Sequence, residues 1–263
     1  MPWLFLTLRL SALRLCFVSV PENLADINVR IARAAARVGR NPDEITLVAV
    51  SKTFPAERIR EAYDAGVRHF GENRVQEWEG KYSAVAGLDA TWHLIGHLQS
   101  NKARRAVSLF HAIDSVDSLS LAQKLDRAAA ERNNTLGKPC SGGVAPAVAT
   151  KRLPVLIEVR LSPELTKTGL HPGELPAAAL ATLALPHLEL RGLMTIPPLL
   201  NEPEDVRSYF RRLRELRDDL AVRLDCSLPV LSMGMSHDFD VAIEEGATQI
   251  RLGTALFGTR EAR

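Results

Sequence analysis

Short apolar runs and amphipathic segments alternate along most of the chain. Many of the apolar runs are rich in β-branched residues and have the length of strands, whereas the segments between them have the apolar spacing of helices. The eight predicted strands cover residues 45–52, 69–73, 92–96, 109–116, 154–161, 188–196, 229–235 and 249–258. Predicted helices lie between them at 55–66, 74–85, 100–108, 118–133, 173–185, 204–223 and 237–246, and one more precedes the first strand at 22–39.

Strands that alternate with helices form parallel sheets joined by crossover helices. Eight such units in about 220 residues fit an α/β fold, the closed (β/α)₈ TIM barrel. The alternative is a doubly wound open sheet, whose dinucleotide-binding form places G-x-G-x-x-G after the first strand. The chain has SKTFPAER at that place, without a glycine, which favours the barrel. Because no helix is predicted after the eighth strand, we expect the helix at 22–39 to fill that gap in the outer ring.

Two segments stand apart from this alternation. Residues 1–20 are apolar, but Arg9 and Arg14 interrupt them, and the apolar pieces are shorter than the ~20 residues that span a bilayer. We expect an extension outside the fold, and a secretion signal is the less favoured alternative. Residues 134–153 are rich in Gly, Ala, Pro and Ser, which predicts a flexible surface insertion. The remainder, residues 21–263, is expected to form one domain.

Charge and cysteine usage exclude several classes of protein. Lys and Arg number 33 and Asp and Glu number 31, so that the formal charge of +2 offers no strongly basic face for nucleic acid. Cys16, Cys140 and Cys226 are widely separated and form neither a disulfide framework nor a metal-ligand pair. This usage favours a reducing compartment, and we expect a cytoplasmic monomer without nucleic-acid or membrane partners.

Lys52 is the first candidate for chemistry, because it ends the apolar run VAVSK. Functional sites of TIM barrels lie at the C-terminal ends of the strands, where partial desolvation lowers the pKa of a lysine. An amine with a lowered pKa is what a Schiff base with a carbonyl compound requires. On position alone, a lysine that merely reaches solvent at a strand exit explains the pattern equally well.

The loops after the seventh and eighth predicted strands are rich in small residues. They read SMGMSHD (232–238) and RLGTALFG (251–258), and such loops let backbone N–H groups approach an anion closely. Phosphate sites in TIM barrels often follow these two strands, although Gly234 and Gly253 could serve only tight turns. A phosphate site together with a reactive lysine indicates pyridoxal 5′-phosphate (PLP), whose phosphate and aldehyde need these two features.

Seven segments of the chain resemble the YggS/PROSC family of PLP-binding homeostasis proteins, in order and with similar spacing. They are LVAVSKT (47–53), FGENRVQE (70–77), WHLIGHLQSNK (92–102), LSPELTKTGL (161–170), RGLMTIP (191–197), SMGMSHDFDVAI (232–243) and RLGTALFG (251–258). The resemblance extends from about Glu22 to Arg260 and implies a fold like the N-terminal domain of alanine racemase.

The resemblance also implies a role for individual residues. Lys52 would hold PLP covalently as an aldimine, Arg251 would face the pyridine nitrogen, and Asn73 would line the site. Arg74 departs from the family pattern, which often has Tyr at this place. The phosphate would be held by backbone amides around Met235, Ser236, Gly253 and Thr254.

Two classes of function follow from a PLP site. An arginine at the ring nitrogen only donates hydrogen bonds and keeps that nitrogen unprotonated, which makes the cofactor a poorer electron sink. This favours a non-catalytic carrier or buffer of PLP in vitamin B6 homeostasis, with PLP-requiring apo-enzymes as partners. The alternative is a fold-type III amino-acid racemase, which needs a second acid–base residue, a tyrosine from a separate C-terminal domain. Tyr63, Tyr82 and Tyr209 all lie in predicted helices.

No metal site is predicted. His93 and His97 have the spacing of a zinc-protease helix, but Leu94 stands where that motif has Glu, and the segment is predicted to be a strand. The polar group of His237, Asp238 and Asp240 lies at a predicted helix start. Helix capping explains these three residues more simply than a metal does.

Overall fold

The computed structural model describes residues 19–136, 152–162, 164 and 168–258. The predicted extension lies outside these residues up to residue 18, and so does most of the predicted insertion, from 137 to 151. Within the described ranges, none of the helices combines the length and the apolar character that crossing a bilayer requires.

Eight parallel strands close into a barrel in which each strand pairs with its neighbours in the chain and β1 pairs with β8. The strands are β1 (Thr46–Val50), β2 (His69–Glu72), β3 (Thr91–Leu94), β4 (Ala112–Val116), β5 (Leu153–Glu158), β6 (Leu188–Met194), β7 (Val230–Ser232) and β8 (Gln249–Leu252). The predicted (β/α)₈ TIM barrel is therefore confirmed.

Helices surround the barrel and connect its strands. They are α1 (Val20–Arg37), α2 (Ala56–Asp64), α3 (Val75–Val85), α4 (Ala103–Leu109), α5 (Leu119–Leu136), α6 (Leu175–Leu183), α7 (Arg207–Arg223), α8 (Phe239–Glu244) and α9 (Thr254–Phe257). Short 3-10 helices occupy Pro42–Glu44, Ser100–Lys102 and Pro203–Val206. Helix α1 packs against α2, α8 and α9, so that it closes the outer ring as expected.

The first helix begins at Val20, two residues earlier than predicted. Ser19 caps it through a capping box, in which the Ser19 hydroxyl accepts from the Glu22 N–H and the Glu22 carboxylate accepts from the Ser19 N–H. Val20 is fully buried, and its N–H donates to Glu61 Oε1 at 3.1 Å. Ser19 and Val20 therefore belong to the fold, and the prediction that placed them in the extension was wrong.

The eighth strand is shorter than predicted. It ends at Leu252, because the backbone of Gly253 turns to φ −106° and ψ −83° and the helix α9 follows. Leu256 and Phe257 are buried on this helical turn, and Asn23 of α1 donates to the Leu256 carbonyl at 2.9 Å. The apolar residues of α9 thus cover the barrel from outside, although their sequence resembles the end of a strand.

Side chains of the strands alternate between two environments. One set packs with the helices into the apolar core around the barrel; it includes Phe70, Trp92, Leu94, Ile113, Leu231, Ile250 and Leu252. The residues between them face the barrel interior, where the alternation of a strand places every second side chain. This interior set is strongly polar; it includes His69, His93, Asp114, Ser232, Gln249 and Arg251.

Candidate functional site

Lys52 lies at the C-terminal mouth of the barrel, as predicted. Strand β1 ends at Val50, and the buried Ser51 and the half-buried Lys52 follow it directly. The next residue, Thr53, has a φ of +67°, which is uncommon for a β-branched residue. Residues in such sparsely populated conformations persist only where the surrounding structure holds them in place, and they cluster at functional sites.

A polar cluster around the buried Glu72 fixes the turn that carries Lys52. Lys81 of α3 donates to the Ser51 carbonyl at 3.0 Å, to Glu72 Oε1 at 3.1 Å and to Glu77 Oε1 at 3.0 Å. The Ser51 hydroxyl donates to Glu72 Oε1 at 2.8 Å, and the Thr53 N–H donates to Glu77 Oε1. The turn is thereby tied to both β2 and α3.

The two carboxylates of this cluster differ in their surroundings. Burial raises the pKa of Glu72, which is fully buried, and its Oε2 has no hydrogen-bond partner among the described residues. Burial also acts to raise the pKa of Glu77, but hydrogen bonds from the Thr53 N–H and Lys81 outweigh it and lower that pKa. This cluster was not predicted from the sequence, although the spacing of Glu77 and Lys81, four residues apart on a helix, indicates an ion pair.

The loops after β7 and β8 meet at the same mouth. The Ser236 hydroxyl accepts a hydrogen bond from the Ala255 N–H at 3.1 Å, which joins the two loops. Thr254 is exposed, and Ser236 and Gly253 are half-buried. The structure thus brings the predicted phosphate-binding segments together on neighbouring strands.

The Met235 amide is engaged in a different hydrogen bond. Its N–H donates to Asp238 Oδ1 at 2.6 Å, and Asp238 is buried, which raises the pKa of its carboxyl group. An anion would therefore have to replace a carboxylate to use this amide. The role of Met235 in phosphate binding stays a prediction, as do the roles of Ser236, Gly253 and Thr254.

Two glycines of these loops have different reasons to be glycine. Gly234 has a φ of +93°, and a Cβ there would lie 2.6 Å from the Ala242 Cβ, so that packing within the protein requires it. Gly253 has an ordinary φ, and a Cβ there would lie 3.6 Å from the Val50 carbonyl oxygen, at van der Waals distance. The packing of the protein itself therefore does not require a glycine at position 253, near the end of the strand that precedes Lys52.

Arg251 lies inside the barrel and is only 4% exposed. Its Nη1 donates to the Ser232 hydroxyl at 2.7 Å, and its Nη2 donates to the Thr195 carbonyl at 2.8 Å. Burial lowers the pKa of the guanidinium, and the nearby carboxylates of Asp114 and Glu158 oppose this effect. Among the described residues, none of the carboxylates forms an ion pair with Arg251.

Asn73 follows β2 at the mouth and is half-buried. Its backbone lies directly against Gly96, because a Cβ on Gly96 would come within 2.4 Å of the Asn73 carbonyl oxygen. The loops after β2 and β3 are thus in contact, and that Asn73 lines the site stays a prediction. Arg74 is exposed just before α3.

The histidines considered for metal binding lie apart. His93 is buried in the barrel beside Asp114, with 3.1 Å between Nδ1 and Oδ2, whereas His97 pairs with Asp117 at the mouth, at 2.7 Å. Asp238 is the N-cap residue of α8, but its side chain accepts from the Met235 N–H and makes no capping hydrogen bond to the helix, so that the expected capping is not observed for this residue. In the described parts of the chain, no three His, Cys, Asp or Glu side chains are grouped as metal ligands.

A family match and two close relatives show which protein family this chain belongs to. Residues 23–261 match the alanine racemase N-terminal domain family. The pyridoxal phosphate homeostasis protein of Aquifex aeolicus is 46% identical over 240 residues, which cover 91% of this chain and 98% of the relative. That of Escherichia coli K12 is 42% identical over 248 residues, 92% of this chain and 97% of the relative. The chain belongs to the family of pyridoxal phosphate homeostasis proteins.

Solved structures agree with this assignment. PipY of Synechococcus elongatus, solved with PLP bound, is 40% identical, covers 91% of this chain and 100% of its own, and superposes with a TM-score of 0.76. Alanine racemase of Clostridium difficile is 15% identical with a TM-score of 0.67, over 93% of this chain and 57% of that chain. The latter likeness shows the fold alone.

Proposed function

We propose that the protein binds PLP at the C-terminal mouth of the barrel and carries or buffers it in vitamin B6 homeostasis. The observation that carries this proposal is that Lys52 and the joined loops after β7 and β8 lie at one mouth of the barrel. Lys52 offers an amine, the loops of Ser236 and Thr254 would offer backbone donors to an anion, and Arg251, inside the barrel on β8, offers a buried cation. The names of the relatives and the PLP-bound structure of PipY support the same ligand.

The residues at the mouth fit the chemistry of this cofactor. Lys52 would condense with the aldehyde, so that its Nζ bonds to the aldehyde carbon and one water leaves. Ser236 and the backbone at Gly253 and Thr254 would hold the phosphate, because a residue without a side chain lets backbone N–H groups come close to an anion. Arg251 would face the ring nitrogen as a hydrogen-bond donor, and Asn73 would line the site.

We propose further that the protein is not an enzyme. PLP supplies an electron sink when its ring nitrogen is protonated, and Arg251 only donates hydrogen bonds. All three tyrosines lie on helices, Tyr63 on α2, Tyr82 on α3 and Tyr209 on α7. None of them lies at a strand exit, where a racemase would need an acid–base residue above the cofactor.

The remaining proposals concern the setting of the protein. We place it in the cytoplasm, since the separated cysteines favour a reducing compartment. We also propose that it is a monomer. The fold from Ser19 onward would form a single domain. PLP-requiring apo-enzymes would receive the cofactor.

Titration with PLP, followed by absorbance, tests the proposed function. The protein should gain an absorbance band at a longer wavelength than the band of free PLP. Lys52→Ala should lack this band. The loaded protein, freed of excess PLP, should restore activity to an apo-enzyme that requires PLP. A protein that shows no such band after saturation with PLP and removal of the excess would refute the proposal. Steady conversion of L- to D-alanine far above the rate of free PLP, lost in Lys52→Ala, would favour the racemase instead.

A further inference from the structure

A continuous chain of hydrogen bonds runs through the barrel interior to Arg251. We name it the axial chain; its members, in order, are His69, His93, Asp114, Gln249, Ser232 and Arg251. They come from five strands, β2, β3, β4, β7 and β8. All five contacts join side chains that are more than fifteen residues apart in the chain, so that only the fold brings them together.

The first half of the axial chain ends on a carboxylate. His69 Nδ1 lies 3.1 Å from His93 Nε2, and His93 Nδ1 lies 3.1 Å from Asp114 Oδ2. Because the Asp114 carboxylate only accepts, His93 donates to it through Nδ1. Burial and the neighbouring His93 lower the pKa of His69.

The second half starts from the same carboxylate and reaches the guanidinium. Gln249 Nε2 donates to Asp114 Oδ2 at 2.7 Å and to the Ser232 hydroxyl oxygen at 2.9 Å. That oxygen also accepts from Arg251 Nη1 at 2.7 Å. Asp114, Ser232, Gln249 and Arg251 are each at most 5% exposed.

Asp114 is the central member because it accepts from both halves. It fixes the orientation of the Gln249 amide, which in turn fixes the Ser232 oxygen against Arg251. It also supplies negative charge to a buried guanidinium that has no ion-pair partner among the described residues. A buried charge is tolerated only where such compensation and hydrogen bonding exist.

We propose that Asp114 positions the Arg251 guanidinium through Gln249 and Ser232, and so fixes the donor that faces the ring of bound PLP. The positioning of Arg251 concerns the protein alone, whereas the contact of Arg251 with bound PLP rests on the proposed function. Asp114 touches neither the guanidinium nor the mouth directly, so that it is a positioning residue. The axial chain borders a cavity of about 580 Å³ at the N-terminal ends of the strands, on the opposite side from Lys52.

The first arm of the test uses ligand-free protein labelled with ¹⁵N-arginine. The side-chain signal of Arg251 is assigned by its loss in Arg251→Lys, and its hydrogen exchange is measured by NMR. Asp114→Asn and Ser232→Ala should each speed this exchange by about tenfold, the effect of one lost hydrogen bond. The matched control is Asp126→Asn, since Asp126 is also paired with a histidine, His187, but on the outer helix α5.

Exchange of Arg251 within twofold of the original protein in both variants would overturn the positioning role. If Asp114→Asn fails to fold, Ser232→Ala and Gln249→Met decide whether the axial chain positions Arg251, since both variants keep the Asp114 carboxylate. The second arm records the absorbance band with PLP, whose position and pH dependence should change in Asp114→Asn and stay unchanged in Asp126→Asn. If the original protein binds no PLP, the proposed function fails while the NMR arm still decides the role of Asp114.

Discussion

Lys81 and Glu72 form a buried ion pair, 3.1 Å from Nζ to Oε1, directly beneath the turn that carries Lys52. The Glu72 side chain is fully buried and that of Lys81 is 14% exposed, so that each compensates a charge that solvent cannot reach easily. The same ammonium bonds to the Ser51 carbonyl. The pair therefore links the stability of the barrel to the placement of Lys52.

The first prediction concerns the cation of this pair. Lys81→Met leaves the Glu72 carboxylate buried without its partner, and we expect a loss of about 3 kcal/mol in the free energy of unfolding. Urea denaturation measures this loss. The control is Lys124→Met, since Lys124 is an exposed lysine on α5, and its effect should stay within about 0.5 kcal/mol. Equal effects of the two substitutions would show that the pair contributes little.

The second prediction concerns the pH dependence of stability. Burial raises the pKa of Glu72 above its ordinary value of 4.5, so that the native state binds this proton more tightly than the unfolded chain. Stability should fall as the pH rises from the unfolded value through the raised native value. Glu72→Gln removes this contribution, and its free energy of unfolding relative to the original protein should increase with pH over that window. A difference that does not change with pH would contradict the assignment.

The third prediction contrasts one substitution at two glycines. Gly96→Ala would place a Cβ 2.4 Å from the Asn73 carbonyl oxygen and force two mouth loops apart, at a cost of about 1–3 kcal/mol. Gly80 lies inside α3 with no atom within 4 Å of an added Cβ, so that Gly80→Ala should stabilise the protein by about 0.5–1 kcal/mol. Thermal unfolding of both variants should therefore shift in opposite directions. Parallel shifts would refute the close approach of the two loops.

The fourth prediction concerns the phosphate. If the loops after β7 and β8 hold it, Gly253→Val should block the close approach of the backbone and bind PLP more than about tenfold more weakly. Pyridoxal should bind this variant and the original protein alike, and in both cases weakly. Lys52→Ala should lose covalent binding yet keep measurable, reversible affinity for PLP. Equal affinities of the original protein for pyridoxal and PLP would show that these loops are ordinary turns.

The order of the strands and the place of Lys52 follow from the sequence, because both depend on local patterns. Alternation of strand and helix periods gives the barrel, and the end of an apolar run gives the strand exit. The length of the last strand does not follow, since Leu256 and Phe257 look alike whether they lie on a strand or on a helical turn. Only the packing of α9 against α1 distinguishes them.

The hydrogen bonds of the polar barrel interior could not be predicted from the sequence, for a different reason. His69, His93 and Asp114 are single polar residues in three separate strands, and each alone has an ordinary explanation. Their hydrogen bonds depend on the register between strands, such as the pairing of Gly71 with His93, which no local pattern shows. Long-range contacts of this kind exist only once the barrel closes.

The central claim is that PLP bonds to Lys52, and reductive trapping tests it most directly. The protein is incubated with PLP, reduced with borohydride, digested, and its peptides are identified by mass spectrometry. We expect one stoichiometric label on the peptide that contains Lys52, and no comparable label on Lys81 or Lys102. Lys52→Ala should carry no stoichiometric label at all. Label spread evenly over several lysines, or stoichiometric label that persists in Lys52→Ala, would contradict the account.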